Sequence, residues 1–223
     1  TTYVVLAADS IPTNNKITST FAIDMHFGTG GPDANYYYWI DNTVGGGPAF
    51  SWVDMSAAAV CSLSNYDTGV SGAKALGGSF RFYNNNYDSV KIGANATLTF
   101  DLATTTIPDA NYIMPTATAP NNLMAACWDD MMTRVDGVTV LSDVANNRFV
   151  VQYDSVAFYG SAISFDLQMI LNWANNTITY QYNNIIGTLH TDYTLGIENA
   201  TGTAGLSYIF DNNKPLNAFA NGL

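Results

Sequence analysis

The chain has 223 residues, of which 7 are Lys or Arg and 18 are Asp or Glu, giving a formal net charge of −11 with only 11% of positions charged. An acidic chain with few, scattered cations is repelled by phosphate backbones and anionic lipid, which excludes nucleic-acid binding. No apolar run approaches the roughly 18 residues of a spanning helix, which argues against membrane insertion. The surface must then be covered by neutral polar groups, and 24 Asn, 24 Thr and 14 Tyr supply them.

The first expected element is residues 2–10 (TYVVLAADS), an apolar strand-like segment closed by Pro12, Thr13, Asn14 and Asn15. A second strand is expected over 17–25 (ITSTFAIDM). Residues 1–35 are read as an N-terminal strand extension and 36–223 as the main module. If the protein is exported, Thr1 reads as a mature, processed end. Two readings of the extension stay open. Tyr3, Val4, Val5 and Leu6 either complete the module's own sheet or add to the sheet edge of a neighbouring copy. Head-to-tail addition that does not close makes a filament.

From Ile17 onward the apolar pattern has period two, the mark of strands with one buried face. Leu98, Phe100 and Leu102 alternate with Thr97, Thr99 and Asp101, and Phe149, Val151 and Tyr153 are offset from Gln152 and Asp154. Phe165, Leu167, Met169 and Leu171 alternate with Asp166, Gln168 and Asn172, and Ile178, Tyr180 and Tyr182 with Thr177, Thr179 and Gln181. Turn signals at 84–86, 136–137, 146–147, 175–176 and 183–184 separate such runs. The Ala-rich run 55–61 is too short to stand as a helix. Residues 103–120, with Pro108, Pro115 and Pro120, read as a long loop. The expected fold is all-β, a two-sheet β-sandwich or jelly-roll-like domain with an N-terminal strand extension.

Few residues suggest chemistry. His26 and His190 stand near no nucleophile motif. Asp129 and Asp130 resemble a paired-carboxylate site, but adjacent strand residues point to opposite faces, which favours turn caps or a cation site. Asp41, Asp54, Asp67 and Glu198 add hard oxygens for Ca²⁺, yet no 12-residue calcium-loop pattern is present. Tyr36, Tyr38, Trp39 and Trp173 either stack on sugar rings or pack the core. Asn95, Asn175 and Asn199 head N-x-[ST] sequons. Cys61 and Cys127 form one disulfide or remain two buried thiols.

Five stretches in order carry a family resemblance: WIDNTVGGGPAFSW (39–52), FRFYNNNYDSV (80–90), PNNLMAACWDDM (120–131), RFVVQYDSV (148–156) and LGIENATGTAGLSY (195–208). Over 36–210 the chain resembles a β-sandwich module of secreted and cell-surface bacterial proteins, associated with adhesins and secreted proteases, and more distantly nidogen-like extracellular domains. It departs from that pattern at Asn95-Ala96, where an Asn-Gly turn is usual, and at Cys127, where a bulky apolar residue is common. The resemblance implies an extracellular, non-catalytic role with no active-site residues and no obligatory cofactor. The resulting expectation is a structural subunit of a surface filament or sheath whose partners are copies of itself. The alternative is an adhesion module that binds a surface polysaccharide.

Overall fold

The computed structural model describes residues 28–188 and 192–210. The candidate donor residues Tyr3, Val4, Val5 and Leu6, and both His26 and His190, lie outside the described residues. Fourteen strands and one 3-10 turn, Val144–Asn146, make up the regular structure described, with no α-helix. No helix among these residues is long and apolar enough to cross a membrane.

Two strands, β1 (Thr29–Gly30) and β2 (Trp39–Ile40), pair as a small separate ribbon. The first large sheet contains β3 (Ala59–Val60), β8 (Met131–Met132), β9 (Val138–Asp143), β10 (Arg148–Phe158), β11 (Ser164–Asn172) and β12 (Thr177–Ile186), in the order β12-β11-β10-β9-β3, with β8 on the far end of β10. The second contains β4 (Lys74–Phe82), β5 (Asn85–Gly93), β6 (Thr97–Thr99), β7 (Leu123–Trp128), β13 (Thr194–Glu198) and β14 (Gly205–Ile209), in the order β14-β13-β7-β6-β5-β4. All pairings are antiparallel, and the all-β sandwich read from the sequence holds. Within the Ala-rich run only the two residues of β3 are regular, and they form a strand.

Local chemistry sets the hairpins. Asn84 (φ 66), Asn147 (φ 55) and Asn176 (φ 55) take left-handed backbone at the turns that close β4–β5, β9–β10 and β11–β12. Asn tolerates that region because its short side chain bonds locally. The expected turn at Asn183-Asn184 is not a strand boundary. Both residues lie inside β12, where Asn184 (φ 50) sits in a bulge and the register with β11 shifts between Ser164 and Asp166.

Between the sheets lies the main core. Leu76, Phe80, Phe82, Val90, Ile92, Leu98, Met124 and Ala126 come from one layer, and Phe149, Val151, Tyr153, Phe165, Leu167, Met169, Leu171 and Tyr182 from the other. Each such large side chain contributes roughly 1.5–3 kcal/mol by leaving water. The Tyr153 hydroxyl donates to Gly93 O (2.9 Å) and reaches Thr97 O (3.1 Å), so it ties the layers with polar contacts as well.

Alternation predicts a wet outer face on each sheet, and the structure corrects this. On the first sheet Val53 packs with Val150 and Ile170, and Gln168 is fully buried. Gln168 Oε1 accepts the Val53 N–H (2.9 Å), while its Nε2 donates to Val53 O and to Gln152 Oε1 (2.8 Å each). Gln181 does the same for Ser51, accepting its N–H at 2.7 Å and donating to its carbonyl at 2.9 Å. Side-chain amides thus satisfy backbone groups that a neighbouring strand would otherwise serve. On the second sheet the 103–120 loop supplies Ile107 and Met114, which pack over Leu123, Ala125 and Trp128. Every residue of β6 and β7 is buried as a result.

Candidate functional site

A groove of about 920 Å³ is lined by β12, by β13 and β14, and by residues 35–50. Its floor is apolar: Ile178 and Tyr180 come from one sheet, and Leu195, Ile197 and Leu206 from the other. β12 and β14 are the terminal strands of their sheets among the described residues, so the groove runs where the two layers end side by side.

Its rim is built by the ribbon. Asp33 Oδ1 accepts the N–H groups of Asn35 (2.8 Å) and Tyr37 (2.9 Å), which fixes the bend before the aromatic run. Tyr37 turns inward, accepts the Tyr83 N–H on its hydroxyl (3.1 Å) and meets the Phe82 ring edge-on at 6.0 Å. Tyr36 and Tyr38 turn outward and are 84% and 73% exposed. Trp39 is half-buried, edge-on to Tyr208 with ring centroids 4.5 Å apart, and a Cβ on Gly30 would meet its indole at 2.4 Å. Tyr208 donates to Asp41 Oδ2 (2.9 Å), and burial, reinforced by that carboxylate, pushes its hydroxyl up from the ordinary phenol range. Of the four aromatic candidates, Tyr36, Tyr38 and Trp39 therefore line one groove, with Trp39 in a structural position. Trp173 is elsewhere, packed against Gly78 of β4 and the core. The sequence missed Phe50, Arg81, Asn84 and Asn176, which also line the groove. They come from separate turns, and no local pattern links them.

The acidic candidates separate. Asp130 comes together with Asp67 and Asp109, with one carboxylate oxygen of each within 4.8 Å of the others. Asp67 Oδ1 and Asp109 Oδ1 are buried atoms with no hydrogen-bond partner. Burial first, then the facing Asp109 and Asp67, hold the Asp130 carboxyl above its ordinary range. Three hard oxygens at this spacing are the donor type that Ca²⁺ takes. Asp129 stands outside the trio, and its Oδ1 accepts the Asp130 N–H (2.8 Å).

Of the two readings left open for the cysteines, the structure has Cys61 and Cys127 as two buried free thiols. Cys61 bonds through its N–H to Val138 on the β3–β9 side of the first sheet, whereas Cys127 lies in β7 at the centre of the second. Burial raises both thiols above their ordinary range. Asn95 is fully buried, its Nδ2 donating to Ile107 O (3.3 Å) and Pro108 O (3.2 Å) and its Oδ1 accepting the Met131 N–H (3.0 Å). Enclosed on every side, it has no room for a glycan in the folded domain. Asn175 is exposed at the β11–β12 turn, and Asn199 is half-buried at the β13–β14 turn.

Comparison with known proteins adds one finding. The model of the family described as NIDO related matches residues 43–221. No match was found among curated proteins or among solved structures.

Proposed function

The chain belongs to the NIDO-related family of extracellular-type domains, and from that premise we propose that it is a non-catalytic structural subunit of an extracellular assembly. Copies join when the N-terminal segment around Tyr3, Val4, Val5 and Leu6 of one subunit adds as a strand to the next. The observation that supports this reading is the groove between the terminal strands of the two sheets. An apolar floor flanked by strand backbone suits an extended chain, whose alternate side chains fill the floor while its peptide groups pair with the rim. The adhesin and secreted-protease setting suggested by the sequence fits such a surface role.

Removing residues 1–13 tests it. The expected product is a folded monomer by light scattering and negative-stain imaging, where the full chain forms oligomers or filaments. A truncated protein that assembles as the full chain does overturns the reading.

The exposed pair Tyr36 and Tyr38 favours a second reading, a module that binds a surface polysaccharide. Two solvent-facing rings in a groove that Asn84 and Asn176 also line offer stacking faces beside planar amide donors, the pairing that sugar rings require. Here Tyr36→Ala with Tyr38→Ala abolishes retention on polysaccharide columns and leaves the melting temperature unchanged. Retention that survives the double substitution removes this reading.

A further inference from the structure

The cover over the second sheet is fastened by a carboxyl group. Glu198, the last residue of β13, is fully buried. Its Oε2 accepts the Thr116 N–H at 2.9 Å. Asn121, oriented to satisfy its neighbours, donates from Nδ2 to Glu198 Oε1 (3.1 Å) and to Thr116 O (2.8 Å). Two residues upstream of Thr116, Met114 is held on both backbone groups by Ser207 Oγ, which accepts its N–H (3.0 Å) and donates to its carbonyl (2.9 Å). The turn after β13 closes against the same segment. Gly202 has φ +60, and a Cβ there would meet Thr116 O at 1.8 Å. Residues 114–122 are thus clasped to β13 and β14 at three points, one of them ionisable.

Among the described residues that ionisable point has no charged neighbour. The cover segment 114–122, the turn 199–204 and strands β7 and β14 contain no Asp, Glu, Lys, Arg or His. Their only titratable side chains are Cys127, which belongs to the core between the sheets, and Tyr208, whose hydroxyl donates to Asp41 in the groove. No cation among the described residues offsets the charge, and the Thr116 and Asn121 groups that donate to Glu198 are neutral. A buried carboxylate held only by neutral donors is costly, and the cost vanishes when the group is protonated or when the cover lifts and admits water.

We infer that Glu198 is a pH-sensitive latch: residues 114–122 are shut over the outer face of the second sheet while its carboxyl is protonated and loosen as it ionises. Burial raises the group from the ordinary 4.5 to about 7, the Thr116 N–H pulling weakly the other way. The sign follows from proton uptake. Between those two values the closed state binds more protons than the open one, so closure weakens as pH rises through that window and stays at its weakest above it. Opening lifts Met114 off Leu123 and Ala125, so alkaline pH uncovers an apolar face that acid conceals. The latch operates whatever occupies the groove.

Amide hydrogen exchange on the full chain tests it, with rates corrected for the intrinsic effect of pH. Opening of residues 114–122 is expected to rise by up to about tenfold per pH unit between pH 5 and 7 and then level off. The amides of Ser51 and Val53, fastened by glutamines, serve as the internal control and stay flat. In Glu198→Gln the segment remains protected at pH 8, at least tenfold above wild type, with no pH dependence. Flat protection of 114–122 in the wild type, or a Gln variant that tracks it, overturns the latch. Should the variant not fold, carbon-13 titration of the wild-type Glu198 carboxyl decides: a midpoint near 7 sustains the latch, and one near 4.5 sinks it.

Discussion

The outer face of the first sheet is covered by residues near Ser51 and Val53, and that of the second by residues 103–122, and the two covers are fastened by different chemistry. Gln168 and Gln181 grip backbone through neutral amides, each offering one donor and one acceptor to a peptide group that needs both. Glu198 grips through a buried carboxyl that can ionise, so its side of the domain inherits a dependence on pH. Cross-strand register explains the first arrangement. Gln152, Gln168 and Gln181 are direct neighbours across β10, β11 and β12, which places three amides in a row beneath one crossing segment. The second sheet has no such row, and its cover is held by scattered contacts such as Trp128 Nε1 to Pro108 O (2.8 Å) and Thr99 Oγ1 to Asn122 O (3.2 Å). An amide row makes a fixed strap, whereas a lone carboxyl makes a conditional one.

Breaking the amide row gives the largest expected effect. Gln168→Ala strands the Val53 N–H and carbonyl without partners in a dry site and removes the bond to Gln152. With each orphaned buried group costing about 1–3 kcal/mol, the loss should be about 3 kcal/mol in urea unfolding. Gln168→Glu sharpens the comparison, since it keeps the acceptor, loses the donor and introduces a buried charge. Its deficit against wild type should grow as pH rises, importing into the first sheet the behaviour expected of the second. A loss under about 1 kcal/mol for the Ala variant would mean that the segment above Gln168 is not fastened by it.

Much of this contrast was hidden in the sequence, for a physical reason. Period-two alternation reports which side chains of a strand lie opposite its core face, and it correctly placed Phe149, Val151, Leu167 and Met169 inside. It does not report whether the other face is wet. Gln168 and Thr97 read as solvent-facing because they are polar, yet both are fully buried under segments distant in sequence. The hairpin turns at Asn147 and Asn176 were legible because a left-handed residue leaves a local compositional mark. The acidic trio was only partly so: Asp130 and Asp67 both stand out as hard-oxygen candidates, but nothing local joins them, and Asp109 arrives unmarked from a third segment. For the groove, the aromatic run 36–39 was visible, but the split into outward Tyr36 and Tyr38 and a clamped Trp39 depends on Tyr208 and Gly30.

The acidic trio sits beside the conditional cover and tests whether charge repulsion is tolerated there. Asp109→Asn removes a negative charge facing Asp130. Without divalent cation it should stabilise the domain by about 0.5 kcal/mol at pH 7, the scale of a partly exposed charge pair. The gain should fade in acid: Asp130 is held above its ordinary range, so the repulsion is fully present above that raised value and is relieved as pH falls through it. Millimolar Ca²⁺ provides the opposing arm. A melting temperature that rises with Ca²⁺ in wild type but not in Asp109→Asn assigns the three oxygens to a cation, and the charge-removal gain then reverses sign.

The smallest expected effect concerns the turn that carries Asn95. Ala96 has φ 52, a left-handed conformation in which a Cβ costs about 1–2 kcal/mol and which glycine adopts freely. Its methyl is fully buried within the core, where losing one such group costs about 1 kcal/mol, and glycine adds unfolded-state entropy. These contributions nearly cancel, so Ala96→Gly should shift unfolding free energy by less than about 0.5 kcal/mol. The near-zero sum explains how Ala can occupy a turn where Gly is the usual choice: the penalty in the backbone is offset by packing between the sheets. Stabilisation of about 1 kcal/mol would show that the buried methyl contributes little, and that the backbone strain at this turn is unrelieved.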